Sequence, residues 1–349
     1  MKKFFNVAFL FITMTFCLTL FSCASTVKVK LTRPAELDLN GARTIAVLPI
    51  APYNYYKQYN DLSLGQEILV NLFYQIFKIN DPDEQQIIDN LYSRVEHGLL
   101  SSPYIKLVSS DSVETAIRKN TLNPADVYLI GQVSYFSQKW VTSEKKKEVK
   151  AAKDNQLAEY IIVKYYRREV DFHFNYQIVD SATNKIIASD QYRCTVSSYN
   201  FEDKKEVPSA YSLLESDIKK AAEKILHQLQ PYVETKSIKL LETKTKDKIL
   251  KERMKAADKL AKDSYLQSAS QEFTRIYEDT DLIEAGYNAA ILQEALGNLS
   301  HAEKMMEELY QAHPDSRVAK GLSDIRYEIT QAKKLQKQIS EPEDMDLDF

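Results

Sequence analysis

The residue with the clearest chemistry in this sequence is Cys23, a thiol that follows Leu20-Phe21-Ser22. Met1-Lys2-Lys3 places positive charge at the start, and residues 4–21 are almost wholly apolar. This order is the anatomy of a secretory signal. We therefore expect residues 1–22 to be a signal peptide, and cleavage before Cys23 would leave its thiol at the new amino end.

The run from Leu20 to Cys23 resembles the lipobox of bacterial lipoproteins, with Phe21 where most lipoboxes carry a small residue. The resemblance implies a diacylglycerol on the Cys23 thiol and a further chain such as palmitate on the freed amine. An ordinary signal peptide or an N-terminal transmembrane anchor is the alternative. Two or three acyl chains hold a protein stably on a bilayer, because each buried methylene contributes about 0.8 kcal/mol. Ala24-Ser25 carry no aspartate retention signal, so we expect the outer membrane, facing the periplasm.

Composition is that of a folded chain with room for two domains. Hydrophobic residues make up 44 % of it, including 14 Phe and 22 Tyr, and the formal net charge is −3. Loss of Lys2 and Lys3 with the leader brings the charge to about −5, so neither a strongly basic face nor a nucleic-acid partner is indicated. With Cys17 removed and Cys23 acylated, Cys194 has no partner for an intramolecular disulfide.

No set of residues indicates catalysis or a cofactor. The five histidines have no ligand spacing: His97, His173, His227, His301 and His313. A phosphate loop, a dinucleotide fingerprint and a nucleophile elbow are all missing from the sequence. We therefore expect no enzyme, no metal, no cofactor and no small-molecule substrate.

Periodicity predicts an α/β (α+β) domain over residues 41–240, after a lipidated tether at 23–40. Asp81-Pro82-Asp83 has the pattern of a helix start. Apolar and polar residues alternate over 170–178, which is typical of a half-buried strand. Helices, short strands and a hairpin follow one another in an order that predicts a mixed sheet covered by helices.

A lysine-rich insert between Trp140 and Leu157 interrupts this pattern. It separates a strand at 127–136 from a long strand that begins at Ile161. A helix is also predicted over 63–78, where apolar residues recur at helical spacing.

Residues 241–340 carry helical periodicity throughout, and an acidic tail follows at 341–349. Gly297-Asn298-Leu299-Ser300-His301-Ala302 and the residues after it resemble a tetratricopeptide repeat, with a degenerate copy 33 residues upstream that has Ser264 in place of the turn glycine. The repeat-packing positions are Ala269, Phe273, Ile276, Gly297, Ala302, Met306, Leu309 and Pro314. The resemblance implies an all-α tetratricopeptide-like domain that binds a protein on a face set by Tyr287 and Gln293. A plain helical hairpin and a structural spacer are the alternatives.

Short motifs in the larger domain resemble the curli-secretion channel (CsgG-like) superfamily. They are Ala46-Val47-Leu48-Pro49-Ile50, Asp126 to Gly131, and Ile178 to Ile187, where Asn184 replaces a turn glycine. Pore members of that family insert two hairpin segments into the membrane, which here would be 133–165 and 191–207. Five lysines between Val141 and Gln156 disfavour contact with acyl chains.

Together these features predict a non-catalytic, lipid-anchored cell-envelope protein, a scaffold or adaptor that recruits a protein partner through helical repeats. Its expected partners are membrane lipid, through acylated Cys23, and either another protein or further copies of itself. The alternative is a component of an oligomeric CsgG-like outer-membrane secretion channel.

Overall fold

The computed structural model describes residues 26–39, 41–53, 81–119, 121, 123–150 and 159–340. Cys23 and its leader, the helix expected at 63–78 and the acidic tail lie outside these residues. The chain divides into two compact units. The helical unit takes its described residues from Met1–Pro34 and Val233–Lys337, and the α/β unit takes its own from Ala35–Tyr232 and Gln338–Phe349. Within these ranges, no helix is long and apolar enough to cross a membrane.

The α/β unit is built on a five-stranded mixed sheet, which confirms the predicted fold class of this part of the chain. In chain order its strands are β2 (Thr44–Val47), β3 (Lys106–Val108), β4 (Val127–Lys150), β5 (Glu159–Asp180) and β6 (Ile186–Ser197). In space the order is β3-β2-β4-β5-β6. Strand β2 runs parallel to β3 and β4, whereas β4, β5 and β6 are antiparallel neighbours.

Among the described residues, three α-helices accompany this sheet: α1 (Pro82–Leu100), α2 (Ser110–Lys119) and α3 (Ala210–Leu229). The Asp81 carboxylate accepts hydrogen bonds from the first turn of α1, as the sequence predicted. Helices α1 and α3 bury their apolar faces in one core with the inward row of β5. That row is Val170, Phe172, Phe174, Tyr176 and Ile178, all at most 2 % exposed. A smaller core that includes Val113 of α2 lies elsewhere in the unit.

Strand β4 is longer than the sequence predicted. The lysine-rich segment is a strand as far as Lys150, and it pairs with β5 from Val127↔Asp180 out to Lys150↔Glu159. The prediction of an insert was wrong because it relied on apolar alternation, which marks a buried face. Backbone pairing needs no such face, so a strand that is polar on both sides has no clear signal in the sequence.

The turn between β5 and β6 has the chemistry expected from its residues. The Asp180 carboxylate accepts hydrogen bonds from the Thr183 backbone N–H (2.7 Å) and hydroxyl (2.6 Å). Asn184 has φ +54°, in the left-handed region where asparagine is better tolerated than most residues.

The helical unit combines five helices with a two-stranded sheet. The strands are β1 (Thr26–Arg33) and β7 (Tyr232–Lys239), and the helices are α4 (Lys248–Lys262), α5 (Leu266–Thr280), α6 (Ile283–Ala295), α7 (Leu299–Ala312) and α8 (Ser316–Ile339). Val27 and Val29 of β1 are buried in the same core as the helices. The segment expected to be a tether therefore contains a structural strand of this unit.

Two turns of the helical unit, 33 residues apart, each contain a residue in the left-handed backbone conformation. Ser264, after α4, has φ +67°, and Gly297, after α6, has φ +82°. A left-handed residue costs about 1 kcal/mol unless it is glycine. A Cβ on Gly297 would meet nothing within 4 Å, so a substitution there costs only the conformational energy of the left-handed backbone.

We therefore expect Ser264→Gly to raise the free energy of unfolding by about 1 kcal/mol, and Gly297→Ala to lower it by a similar amount. Chemical denaturation measures both. Ser268→Gly is the matched control, because Ser268 is exposed in the first turn of α5, where the backbone is right-handed and glycine is expected to give no stabilisation. A loss of stability with Ser264→Gly would contradict this account of the turn.

Candidate binding surfaces

A cluster of charged side chains joins the strand pair of the helical unit to its helices. Lys236 of β7 places its Nζ 2.5 Å from Glu294 of α6 and 2.8 Å from Glu328 of α8. Arg33 of β1 makes a bidentate contact with Glu328 and donates to Glu234 at 2.7 Å. The side chains of Glu294 and Glu328 are only 3 % and 8 % exposed, so these ion pairs are shielded from solvent.

Burial and pairing act in opposite directions on the two buried carboxyls. Burial alone would raise the pKa of Glu328, but hydrogen bonds from Arg33 and Lys236 outweigh it and hold that pKa below its ordinary value. Burial raises the pKa of Glu294, and Lys236 offsets only part of the effect. Glu328 is thus the one carboxylate of this cluster that contacts both cations.

A side-chain amide of α6 also binds the backbone of the segment after β7. The Asn288 amide of α6 accepts a hydrogen bond from the Leu241 backbone N–H (2.7 Å) and donates one to the Leu241 carbonyl (2.9 Å). Leu241 lies two residues after the end of β7, so this helix surface binds a segment of its own chain that follows the strand. The helical unit therefore already holds a strand pair and the segment after β7 against α6 and α8.

The structure buries most residues that the sequence assigned to repeat packing. Ala269, Phe273, Ile276, Ala302, Met306 and Leu309 lie in the core of the helical unit at 0–2 % exposure. Pro314 lies between α7 and α8, and Gly297 lies in the turn after α6. Gln293 is not on an open face, because its buried amide bonds to Ser270 (2.8 Å) and Asn298 (2.8 Å). Tyr287 is half-buried. The binding face that the sequence predicted from Tyr287 and Gln293 is therefore buried at Gln293 and only partly exposed at Tyr287.

Strands β4 and β5 continue beyond the sheet as a two-stranded ribbon, residues 141–150 and 159–167. Strand β6 pairs with β5 only up to Glu169↔Ser197, followed by a single bridge between Tyr166 and Phe201. Along β4, no strand of the described chain lies on the side away from β5 after residue 133. The outer edge of β4 thus offers unpaired backbone groups over residues 135–150, in the part of the molecule that the structure describes.

The ribbon mixes charge and apolar surface on both of its faces. Lys145 faces Val163 and Lys147 faces Ile161 on one side, and Lys146 faces Ile162 on the other. Ile161 and Ile162 are 48 % and 70 % exposed. The sequence predicted a long strand from Ile161 but not this surface, because the pairing of that strand with the lysine-rich segment has no signal in the sequence.

The base of the ribbon is fixed around Trp140. The Arg168 guanidinium and the Lys204 ammonium lie 4.6 Å and 4.5 Å from its ring centroid, which is cation–π geometry. Arg168 also contacts Asp83, in the first turn of α1, at 3.1 Å. These contacts tie the ribbon to the body of the α/β unit.

An open polar cavity of about 410 Å³ lies on the outward row of β4, β5 and β6. Its amides bond to one another, as between Gln191 and Asn175 (2.6 Å), and the Gln177 Oε1 is buried without a partner in the described residues.

Burial, with Asp217, raises the pKa of the Cys194 thiol to about 12, so it is protonated at neutral pH. Among the described residues, no three His, Cys, Asp or Glu side chains form a metal-binding group.

Comparison with known proteins finds similarity only at the level of solved structures. No family model matches the chain, and no curated protein matches it. A PelC dodecamer from Paraburkholderia phytofirmans is 13 % identical over 58 % of this chain and 98 % of that one, with a TM-score of 0.26. A neuraminyllactose-binding hemagglutinin homologue from Helicobacter pylori is 9 % identical over 56 % of this chain and 86 % of that one, with a TM-score of 0.27. At these identities and TM-scores, the matches assign neither a family nor a function.

Proposed function

We propose that this chain is a non-catalytic, lipid-anchored protein of a bacterial cell envelope that serves as a scaffold for a protein partner. Acylated Cys23 anchors the protein in the outer membrane, and the rest of the chain faces the periplasm. The proposal assigns a CsgG-like fold to the α/β unit and tetratricopeptide-like repeats to the helical unit. The leader and lipobox pattern supports the anchor, and the β4 edge supports partner binding.

The outer edge of β4, which no strand of the described residues covers after residue 133, is the observation that carries partner binding. An exposed strand edge is a template for another strand, and backbone hydrogen bonds across it supply affinity. A two-stranded ribbon is also marginal by itself, so a further strand stabilises it. Since Asn288, Glu294 and Glu328 already hold segments of the same unit, we assign recruitment to the ribbon instead of the helical repeats.

Photo-crosslinking in intact cells tests this assignment. A photoreactive residue at Lys146, on the ribbon, is expected to give a discrete adduct, and the same residue at Lys304, exposed on α7, is expected to give none. Fractionation of the same cells reports the anchor separately. An adduct at Lys304 without one at Lys146 would contradict recruitment by the ribbon.

The same experiment separates the scaffold from its alternative, a component of an oligomeric secretion channel. The ribbon supports the alternative as well, because its edge is available to pair with a neighbouring copy. Adducts at multiples of the chain's own mass, together with conductance in liposomes, would favour the channel. The lysines on both faces of the ribbon favour the scaffold, since charge facing acyl chains is costly.

A further inference from the structure

One stretch of the helical unit is strongly basic. Residues 239–262 contain nine lysines and arginines against four acids, a net charge of +5 in a chain whose formal net charge is −3. Helix α4 occupies most of this stretch. It buries Met254, Ala257 and Ala261 in the unit's core and exposes the opposite side. The exposed lysines of α4 are Lys248, Lys251, Lys255, Lys259 and Lys262.

Helix α4 also carries an apolar side chain on its exposed surface. Ile249 is 76 % exposed, beside Lys248 in the first turn. Lysines around an exposed isoleucine are typical of helices that lie in the interface of an anionic bilayer, with the apolar group at the acyl boundary. A solvated helix surface explains the lysines but gives no reason for the isoleucine.

The place of Cys23 in the sequence is an independent observation. Helix α4 packs against β1, and β1 begins at Thr26, three residues after Cys23. Three residues span at most about 10 Å, so acyl chains on Cys23 would hold the first residue of β1 close to the headgroups. Strand β1 exposes Lys28 and Lys30 there and turns Val27 and Val29 into the core. A short tether thus joins the bilayer to the neighbour of the basic helix.

We propose that the basic surface of the helical unit, made by the exposed lysines of α4 with Lys28 and Lys30 of β1, lies on an anionic phospholipid bilayer with Ile249 at the acyl boundary. This inference rests on the proposed acylation of Cys23. Net charge over the whole chain conceals the surface, because the acids that balance it lie elsewhere in the sequence. The acyl chains on Cys23 would hold this surface next to the bilayer, and its lysines would then bind the anionic headgroups.

The test uses full-length acylated protein in vesicles that contain phosphatidylglycerol and brominated acyl chains. A fluorescent label is attached at Ile249→Cys or, as control, at Tyr310→Cys, both in a Cys194→Ser background. Tyr310 is exposed on α7, which packs on α6. Brominated chains are expected to quench the label at position 249 about twofold and to leave the label at 310 unchanged, since a helix in the interface is buried by ~5–10 Å.

Charge is tested with two matched sets of four Lys→Gln substitutions. Replacing Lys248, Lys251, Lys255 and Lys259 is expected to remove most of the quenching at position 249. Replacing Lys304, Lys320, Lys333 and Lys334, which are exposed on α7 and α8, is expected to leave it intact. Circular dichroism checks that both sets keep the helices.

The outcomes separate this inference from the proposed anchor. Protein that floats with the vesicles but shows equal quenching at 249 and 310 overturns the basic surface and leaves the anchor standing. Protein that does not float overturns both. Quenching that survives the α4 substitutions contradicts the role of the lysines.

Discussion

Removal of the lipid is expected to release the protein from the membrane almost completely. The design replaces residues 1–23 with an ordinary cleavable secretory signal, so that the exported chain begins at Ala24 without an acyl chain. The ratio of membrane-bound to soluble protein should fall at least about a hundredfold, because about 0.8 kcal/mol is lost for each methylene withdrawn from the bilayer. Cell fractionation with immunoblotting measures the ratio.

Two controls define the meaning of that result. Cys23→Ser in the natural sequence should block cleavage, so that the chain stays on the membrane with the mass of the intact leader. A wash at about 1 M salt, where the Debye length is about 3 Å, removes any residual binding through the basic surface of α4. Anchor-free protein that stays with the membrane after this wash would contradict lipid attachment as the main anchor.

Glu328→Ala is expected to destabilise the helical unit by about 2–3 kcal/mol. Glu328 is the carboxylate that both Arg33 and Lys236 contact, so its removal leaves each cation with a single carboxylate, Glu234 for Arg33 and Glu294 for Lys236. The loss should also weaken the attachment of β1 and β7 to the helices. Chemical denaturation followed by helical circular dichroism measures the change.

The control and the pH dependence test the physical cause. Glu303→Ala removes an exposed ion pair with Arg326 and should cost about 1 kcal/mol or less. Because the folded-state pKa of Glu328 lies below its ordinary value of 4.5, its contribution is present above that pH and is lost as the pH falls further. The Glu328→Ala variant should therefore lose less stability on acidification than the parent. Equal costs for the two alanine variants would show that burial of the ion pairs contributes nothing.

Features encoded locally could be predicted from the sequence. The Asp81 cap with Pro82 starts a helix whatever the tertiary context, and the alternating row from Val170 to Ile178 specifies one buried face of a strand. The mixed sheet with helices and the helical C-terminal region followed from such signals. Asn184 was likewise expected to adopt its left-handed conformation from turn chemistry alone.

Features that depend on distant partners could not be predicted. Strand β1 pairs with β7 some 200 residues later, as Arg33 and Glu234 illustrate with a separation of 201 positions, and no period in the sequence encodes that choice. Gln293 looked like a surface residue by type, but Ser270 and Asn298 satisfy its amide inside the core. The lysine-rich strand gave no alternation because neither of its faces is buried.

Mass spectrometry of the mature amino-terminal peptide tests the central claim most directly. A lipid-anchored scaffold requires a chain that begins at Cys23, with a diacylglycerol in thioether linkage on its sulfur and, where the amine is also modified, a further acyl chain. A mature chain that begins at any other residue, or that carries an unmodified Cys23, would contradict the account.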